Sequence, residues 1–338
     1  MDAEELLKKY AQGRRDFSGE NLVGVNISGA DLISINLSQA NLEGSTLTFA
    51  FLNEANLYRC NFVRAKLSGV NFNQASLRFA NLHDSELHGA ILQRANLADT
   101  NLSLASFLDA NLMEANLEGA DLSGADLTGA CLLGAVFASV ERRGEREKRT
   151  TKFKRTNLQR ADLEGSRLDE LDFSQAILRE ANLARATLTK AKLEGANFNE
   201  ANLFSADLSK ANLIGAHLRG ANLTKANLEQ ADLTGADLTG AYLNEARILK
   251  AVLADAILAQ AILQRAKMNA SDLKYANFTN ADLAEANLKQ ADLTRANLTS
   301  ANLRDGDLTG ADLNGAKLTN VNLDGAILPD GKREPSVN

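Results

Sequence analysis

Residues 120–134 read Ala-Asp-Leu-Ser-Gly, Ala-Asp-Leu-Thr-Gly, Ala-Cys-Leu-Leu-Gly, three nearly identical blocks of five. The same beat runs outward in both directions. From Phe17 to Phe137 every fifth residue is Leu, Phe or Ile, giving twenty-five centres, and a second array of thirty-six runs from Phe153 to Leu328. Forty-nine of these centres are Leu, nine Phe, two Ile and one Met. Ala stands two places before the centre in forty-five cases; Asn or Asp is usual between the two, and Gly is frequent at the end of the block.

A period of five excludes a helical reading of the arrays. At about 100° per residue, successive centres would rotate by about 140° and leave no buried stripe. The Ala and the Leu, two places apart, instead share a face as they would in a strand. Each block is therefore a very short strand whose Asn or Asp points outward, followed by polar, Gly-tolerant residues that turn the chain. Turning repeatedly in one sense makes a coil, and each coil buries its Leu only because neighbours stack on it. Both prolines, Pro329 and Pro335, lie at or beyond the last block, as a ladder that needs every backbone N–H requires.

The pattern of a small residue, Asn or Asp, Leu or Phe, a polar residue and often Gly resembles the pentapeptide-repeat family over residues 15–137 and 151–330. The resemblance implies an all-β fold, a right-handed quadrilateral parallel β-helix with four repeats per coil, Leu or Phe and the small residue inside. At about 4.8 Å between coils, the blocks would stack into a rod of roughly 70 Å. The organisation expected is an N-terminal capping helix (1–14), a first array (15–137), a charged loop or hinge (138–152), a second array (153–330) and a polar tail (331–338). Within 2–11, Asp2 can cap, Glu5 follows three later, Leu6 and Tyr10 share a face, and Gly13 can end the helix. Covering the first coil would protect an open edge.

Composition narrows the function. The chain is 338 residues, 45% hydrophobic yet only 5% aromatic, and 37 basic against 43 acidic residues leave a net charge of −6. Small aliphatics must therefore fill the core. Two cysteines give no disulfide or metal framework and fit a reducing compartment. No leader pattern or membrane-length apolar run is present, so a cytoplasmic location is expected, with no membrane partner. No nucleophile–base pair, ligand set or phosphate-cradling loop appears, so neither enzymatic activity nor a cofactor is expected. His83 and His88 fall on adjacent faces without partners at ligand spacing, and His217 lies elsewhere. Cys60 takes a small inward position, and Cys131 an outward one.

The outward positions supply the candidate contacts. With twenty residues per coil, Asp232, Val252, Asp272, Asp292 and Asp312 form one column. Its carboxylates are expected to raise one another's pKa and could attract a cationic partner, although Lys274 and Arg295 lie beside them. A second column, Asn21, Asn41, Asn61, Asn81 and Asn101, suits a side-chain hydrogen-bond ladder. Val252, Ile257 and Ile262 occupy outward middle positions on three successive faces and would form a partial apolar belt, either a tolerated strand position or a protein contact. The sixteen-residue gap between Phe137 and Phe153 holds the run 141–149, Glu-Arg-Arg-Gly-Glu-Arg-Glu-Lys-Arg. It reads as a solvated loop or hinge, or as a basic finger in which Arg142, Arg143 and Arg146 would meet an acidic partner.

Two functions follow. One is a non-enzymatic structural and interaction rod for protein partners. The other, implied by the topoisomerase-protecting members of the family, is a DNA mimic that binds a type II topoisomerase such as gyrase, and those members also suggest a homodimer through the C-terminal coils. A duplex as long as the expected rod carries about forty charges, at one per 1.7 Å, far above the net −6 here. No basic face with interleaved aromatics is apparent, so direct nucleic-acid binding is not expected. The family is abundant in cyanobacteria, and most of its members have no assigned role.

Overall fold

The computed structural model describes residues 1–138 and 149–335. It divides into two compact units, Met1–Leu163 and Glu164–Asn338. Apart from one helix, each unit is built from single-residue parallel bridges, one per block, that join a residue to the one twenty further on, as in Asn21↔Asn41 and Asp272↔Asp292. Four blocks thus complete one coil. The expected short strands shrink to one bridged residue per side because the other positions are used for turning.

One block shows why the sequence has this period. In Asn41-Leu42-Glu43-Gly44-Ser45, the Asn41 N–H donates to Glu20 O in the coil before (3.0 Å), while Leu42 and Gly44 donate to Asn61 O and Val63 O in the coil after (2.7 and 2.9 Å). The Ser45 N–H closes the turn on Leu42 O at 3.1 Å. The remaining donor, the Glu43 N–H, is taken by the Asn41 side chain at 3.2 Å. All five backbone donors are satisfied, so the block is a closed hydrogen-bond unit. The middle Asn or Asp is not merely a tolerated outward residue, because its oxygen caps the turn that follows.

That turn carries a constraint hidden in the one-letter pattern. Its third residue has positive φ, as at Gly44 (+62°), while the residue before it does not, the φ pattern of a type II turn. Many blocks place a side chain there all the same, including Ala270 at +54° and Phe79 at +61°.

The interior follows the expectation. Centres are almost completely buried from Phe17 to Leu308, and the small positions from Ile35 onward, while those of the first coil at Glu20, Val25 and Ala30 are half-buried. Polar small residues such as Ser45 and Ser271 bond inward, Ser45 Oγ donating to Leu42 O at 2.6 Å and Ser271 Oγ to Met268 O at 2.6 Å, whereas the buried Ser166 Oγ has no partner among the described residues.

At the N-terminus, helix α1 spans Ala3–Ala11, capped by Asp2, whose carboxylate accepts from the Glu5 N–H at 2.8 Å. Leu6 is buried, the amino terminus donates to Asn21 O at 3.2 Å and Tyr10 Oη to Ile33 O at 2.8 Å, so α1 is fastened to the first coil.

The charged segment interrupts the first unit without breaking its register. Bridges change from a spacing of twenty to one of thirty-one at Asp121↔Lys152, Asp126↔Asn157 and Cys131↔Asp162, so eleven residues are inserted into one ordinary step. An antiparallel bridge, Ala138↔Thr150, closes the stem, and the Phe137 and Phe153 rings meet edge-to-face at 5.4 Å.

The C-terminal end departs from the expected polar tail. After the turn at Gly331 (φ +84°), Arg333 pairs antiparallel with Ile327, the Leu328 N–H donates to Lys332 O at 2.7 Å and the Glu334 N–H to Ala326 O at 2.8 Å. Residues 331–335 therefore fold back on the last coil. Pro329 fits because it takes the second turn position, where its fixed φ is suitable.

Candidate interaction surfaces

The acidic column exists as bridged neighbours, Asp232↔Val252↔Asp272↔Asp292↔Asp312. The expectation that its members raise one another's pKa is corrected at Asp292. The hydroxyl and N–H of Thr294, together with the Lys274 ammonium, hold that carboxyl below the usual range. Lys274 Nζ sits between Asp292 (3.1 Å) and Asp272 (3.6 Å), so two of the four carboxylates share one cation. Arg295 turns away, donating to Tyr275 Oη at 3.2 Å with its guanidinium 5.7 Å from that ring.

Val252, Ile257 and Ile262 lie on one coil, bridged above to Asp232, Asp237 and Tyr242 and below to Asp272, Asn277 and Asp282. Ile257 is 38% exposed; Val252 and Ile262 are half-buried. None has a side-chain oxygen, so this coil lacks the turn cap on three consecutive corners. The asparagine column forms a broken ladder: Asn61 Nδ2 donates to Asn41 Oδ1 and Asn101 Nδ2 to Asn81 Oδ1, each at 2.9 Å.

Arg142, Arg143 and Arg146 lie outside the described residues. At the base of their segment, Arg149 reaches Asp99 at 2.7 Å and also pairs with Glu118, while Arg78 meets Asp99 at 3.2 Å.

Near that base the structure gathers a group that sequence reasoning missed. Tyr58-Arg59 lies one coil before Arg78-Phe79, with ring and guanidinium exchanged between the two pairs. Arg59 stands 5.1 Å from the Tyr58 ring centre and 5.7 Å from that of Phe79; Arg78 stands 4.7 Å from Phe79, and the two rings meet edge-to-face at 5.8 Å. The twenty-residue column reading held the signal, since it stacks Tyr58 on Arg78 and Arg59 on Phe79.

The histidines and cysteines are not gathered into one site. His83 Nδ1 and His88 Nε2 contact Ser103 Oγ and Ser106 Oγ at 2.9 and 2.8 Å. No cluster of three or more metal-ligating side chains occurs among the described residues. Cys60 is buried, its Sγ lies 2.8 Å from Leu37 O, and burial pushes the thiol up to about 12. Cys131 is half-buried. No described helix is long and apolar enough to cross a membrane.

Comparison with known proteins places these surfaces in context. The family model for pentapeptide repeats matches overlapping stretches covering 21–129 and 156–330. No curated protein matches the chain. Among solved structures, it is similar to HetL, a pentapeptide repeat protein involved in heterocyst differentiation regulation from the cyanobacterium Nostoc sp. strain PCC 7120 (27% identity, 99% of this chain and 100% of that one, TM-score 0.30). It is also similar to QnrB1, a plasmid-mediated fluoroquinolone resistance protein (21% identity, 68% and 91%, TM-score 0.29). A third is Rfr23 from the cyanobacterium Cyanothece 51142 (27% identity, 40% and 95%, TM-score 0.20). With its five-residue blocks bridged at a spacing of twenty and matched by that model over most of its length, the chain belongs to the pentapeptide-repeat family.

Proposed function

We infer that this chain is a non-enzymatic interaction scaffold, a right-handed quadrilateral β-helix that docks other proteins on its sides and a second copy of itself on its C-terminal coil. The carrying observation is that coil. Leu318 occupies a core position yet is 42% exposed, and Leu313 and Leu323 are only half-buried. In the coil before it, the N–H groups of Leu293, Leu298 and Leu303 donate to Asp312 O, Lys317 O and Asn322 O at 2.8–2.9 Å. The corresponding donors of Leu313, Leu318 and Leu323 have no following coil among the described residues. Apolar centres beside unpaired donors are an edge suited to pairing, and a second copy presents the same edge under two-fold symmetry. Sedimentation equilibrium at tens of micromolar should give a dimer that Leu318→Glu converts to monomer; a wild-type monomer there overturns the end-to-end arrangement. Docking on the sides is tested by affinity capture from the native host, followed by reconstitution with the purified partner.

The DNA-mimic reading draws on the aligned Asp272, Asp292 and Asp312. A duplex presents about three charges per 4.8 Å coil spacing, whereas this column offers at most one, and Lys274 offsets part of that. Supercoiling by purified gyrase should therefore proceed unchanged at micromolar protein, and inhibition would favour mimicry.

A further inference from the structure

We propose that Tyr58, Arg59, Arg78 and Phe79 form a docking patch for an acidic segment of a partner protein, with Arg59 receiving a carboxylate and Phe79 an adjoining apolar side chain. This names a partner class for the scaffold reading above and rests on it.

The first observation is charge. Arg64, Arg78 and Arg94 each hold a carboxylate, Glu43, Asp99 and Glu114 respectively. Arg59 is exposed and pairs with no carboxylate among the described residues; two rings hold its guanidinium instead. A guanidinium already fixed on aromatic faces loses little freedom when its planar fork meets a carboxylate.

The second observation is cost. Phe79 sits at φ +61°, where a bulky L-residue is strained, and it is 40% exposed, so it gains neither relaxed backbone nor full burial. Tyr and Arg are residue types enriched at energetic centres of interfaces.

The third is local balance. Among the described residues, Asp99 and Glu118 meet Arg78 and Arg149, and Arg59 has no carboxylate of its own. One cation suits a single carboxylate, whereas a phosphate chain gains affinity by neutralising several charges at once, and the net charge of −6 opposes its approach.

The test uses the full chain and a displayed library of random linear peptides, with counterselection on Arg59→Glu. The expected result is enrichment of peptides with Asp or Glu beside Leu, Phe or Tyr. Synthetic copies should lose roughly tenfold or more in affinity for Arg59→Ala, several-fold for Phe79→Ala, and should not be restored by Arg59→Lys. Unchanged circular dichroism and melting of Arg59→Ala would exclude a folding defect. Failure to enrich any peptide, enrichment of peptides lacking carboxylates, or binding indifferent to Arg59→Ala overturns the patch. Oligothymidylate bound through Arg59 would overturn it in favour of single-stranded nucleic acid. Carboxylate-free peptides bound elsewhere, or a dimer broken by Leu318→Glu, would leave the scaffold reading standing while the patch falls.

Discussion

Gly235 and Ala270 occupy the same place in their blocks, the third residue of the turn, at φ +65° and +54°. A Cβ added at Gly235 meets no atom within 4 Å, and Ala270 is exposed, so exchanging the two residue types isolates the backbone term. An L-residue in the left-handed region costs about 1–2 kcal/mol, while removing a glycine from the unfolded chain returns about 0.4–1 kcal/mol. Gly235→Ala should therefore destabilise by about 1 kcal/mol, and Ala270→Gly should stabilise by a similar amount. Both positions lie in the Glu164–Asn338 unit, so guanidinium unfolding of the full chain reads them against the same transition. With a slope of about 4 kcal/mol/M the midpoints should move by roughly 0.25 M in opposite directions, slope unchanged. A neutral Gly235→Ala together with a destabilising Ala270→Gly would refute the reasoning, for the turn would then accept side chains without strain.

Leu253→Ala should cost about 2–5 kcal/mol, because the side chain is buried and its coil is covered on both sides; Leu318→Ala should cost under about 1 kcal/mol in the monomer, measured by the same unfolding. Ile257→Asn supplies the missing oxygen for the Ala259 N–H and should raise stability by about 0.5–1 kcal/mol; if the apolar belt binds a protein, that variant should bind it more weakly. In the native state only Cys131 should react with Ellman's reagent at pH 8, since burial holds the Cys60 thiol up at about 12, and both should react after unfolding. The lowered pKa of Asp292 means that its contribution to stability is present above the unfolded carboxyl value of about 3.9 and is lost as pH falls through the lower native value. Lys274→Ala should move an NMR-detected Asp292 titration upward, and no movement would remove Lys274 from the account.

The period of five made the inside legible because burial is repetitive: an Ala and a Leu two places apart have one way to be buried together, and every described centre from Phe17 to Leu308 is buried. The four-block coil entered through the family resemblance, and the bridges spaced by twenty agree with it. Turn chemistry was less legible. Asn41 looked like a residue facing water, whereas its side chain completes the donor count of its block. The fold-back of residues 331–335 was not legible in the polar tail, because the antiparallel pairing of Arg333 with Ile327 leaves no periodic mark. The register across the charged segment was hidden for a similar reason, since an eleven-residue insertion between Phe137 and Phe153 looks the same as a hinge until Asp121 is seen bridged to Lys152.

For the outside, this physics points in a different direction. An outward Asn or Asp is explained by the turn it caps, so a typical one says little about partners. Information resides where a residue makes the local structure worse. Phe79 is such a place, a bulky ring in a left-handed turn (φ +61°). Ile257 is another, removing a turn cap from its coil and standing 38% exposed between Asp237 and Asn277. Natural sequences violate local rules at functional sites, so departures of this kind, which Phe49 (φ +57°, 68% exposed) and Leu104 (φ +60°, 57% exposed) share with Phe79, are where selection for contact would act. Restoring the rule with Ile257→Asn should strengthen the fold, while Phe79→Gly trades relief of backbone strain against loss of the ring's partial burial. If neither variant weakens any interaction of the chain, the departures are drift, and contact must be sought on the C-terminal coil around Leu318.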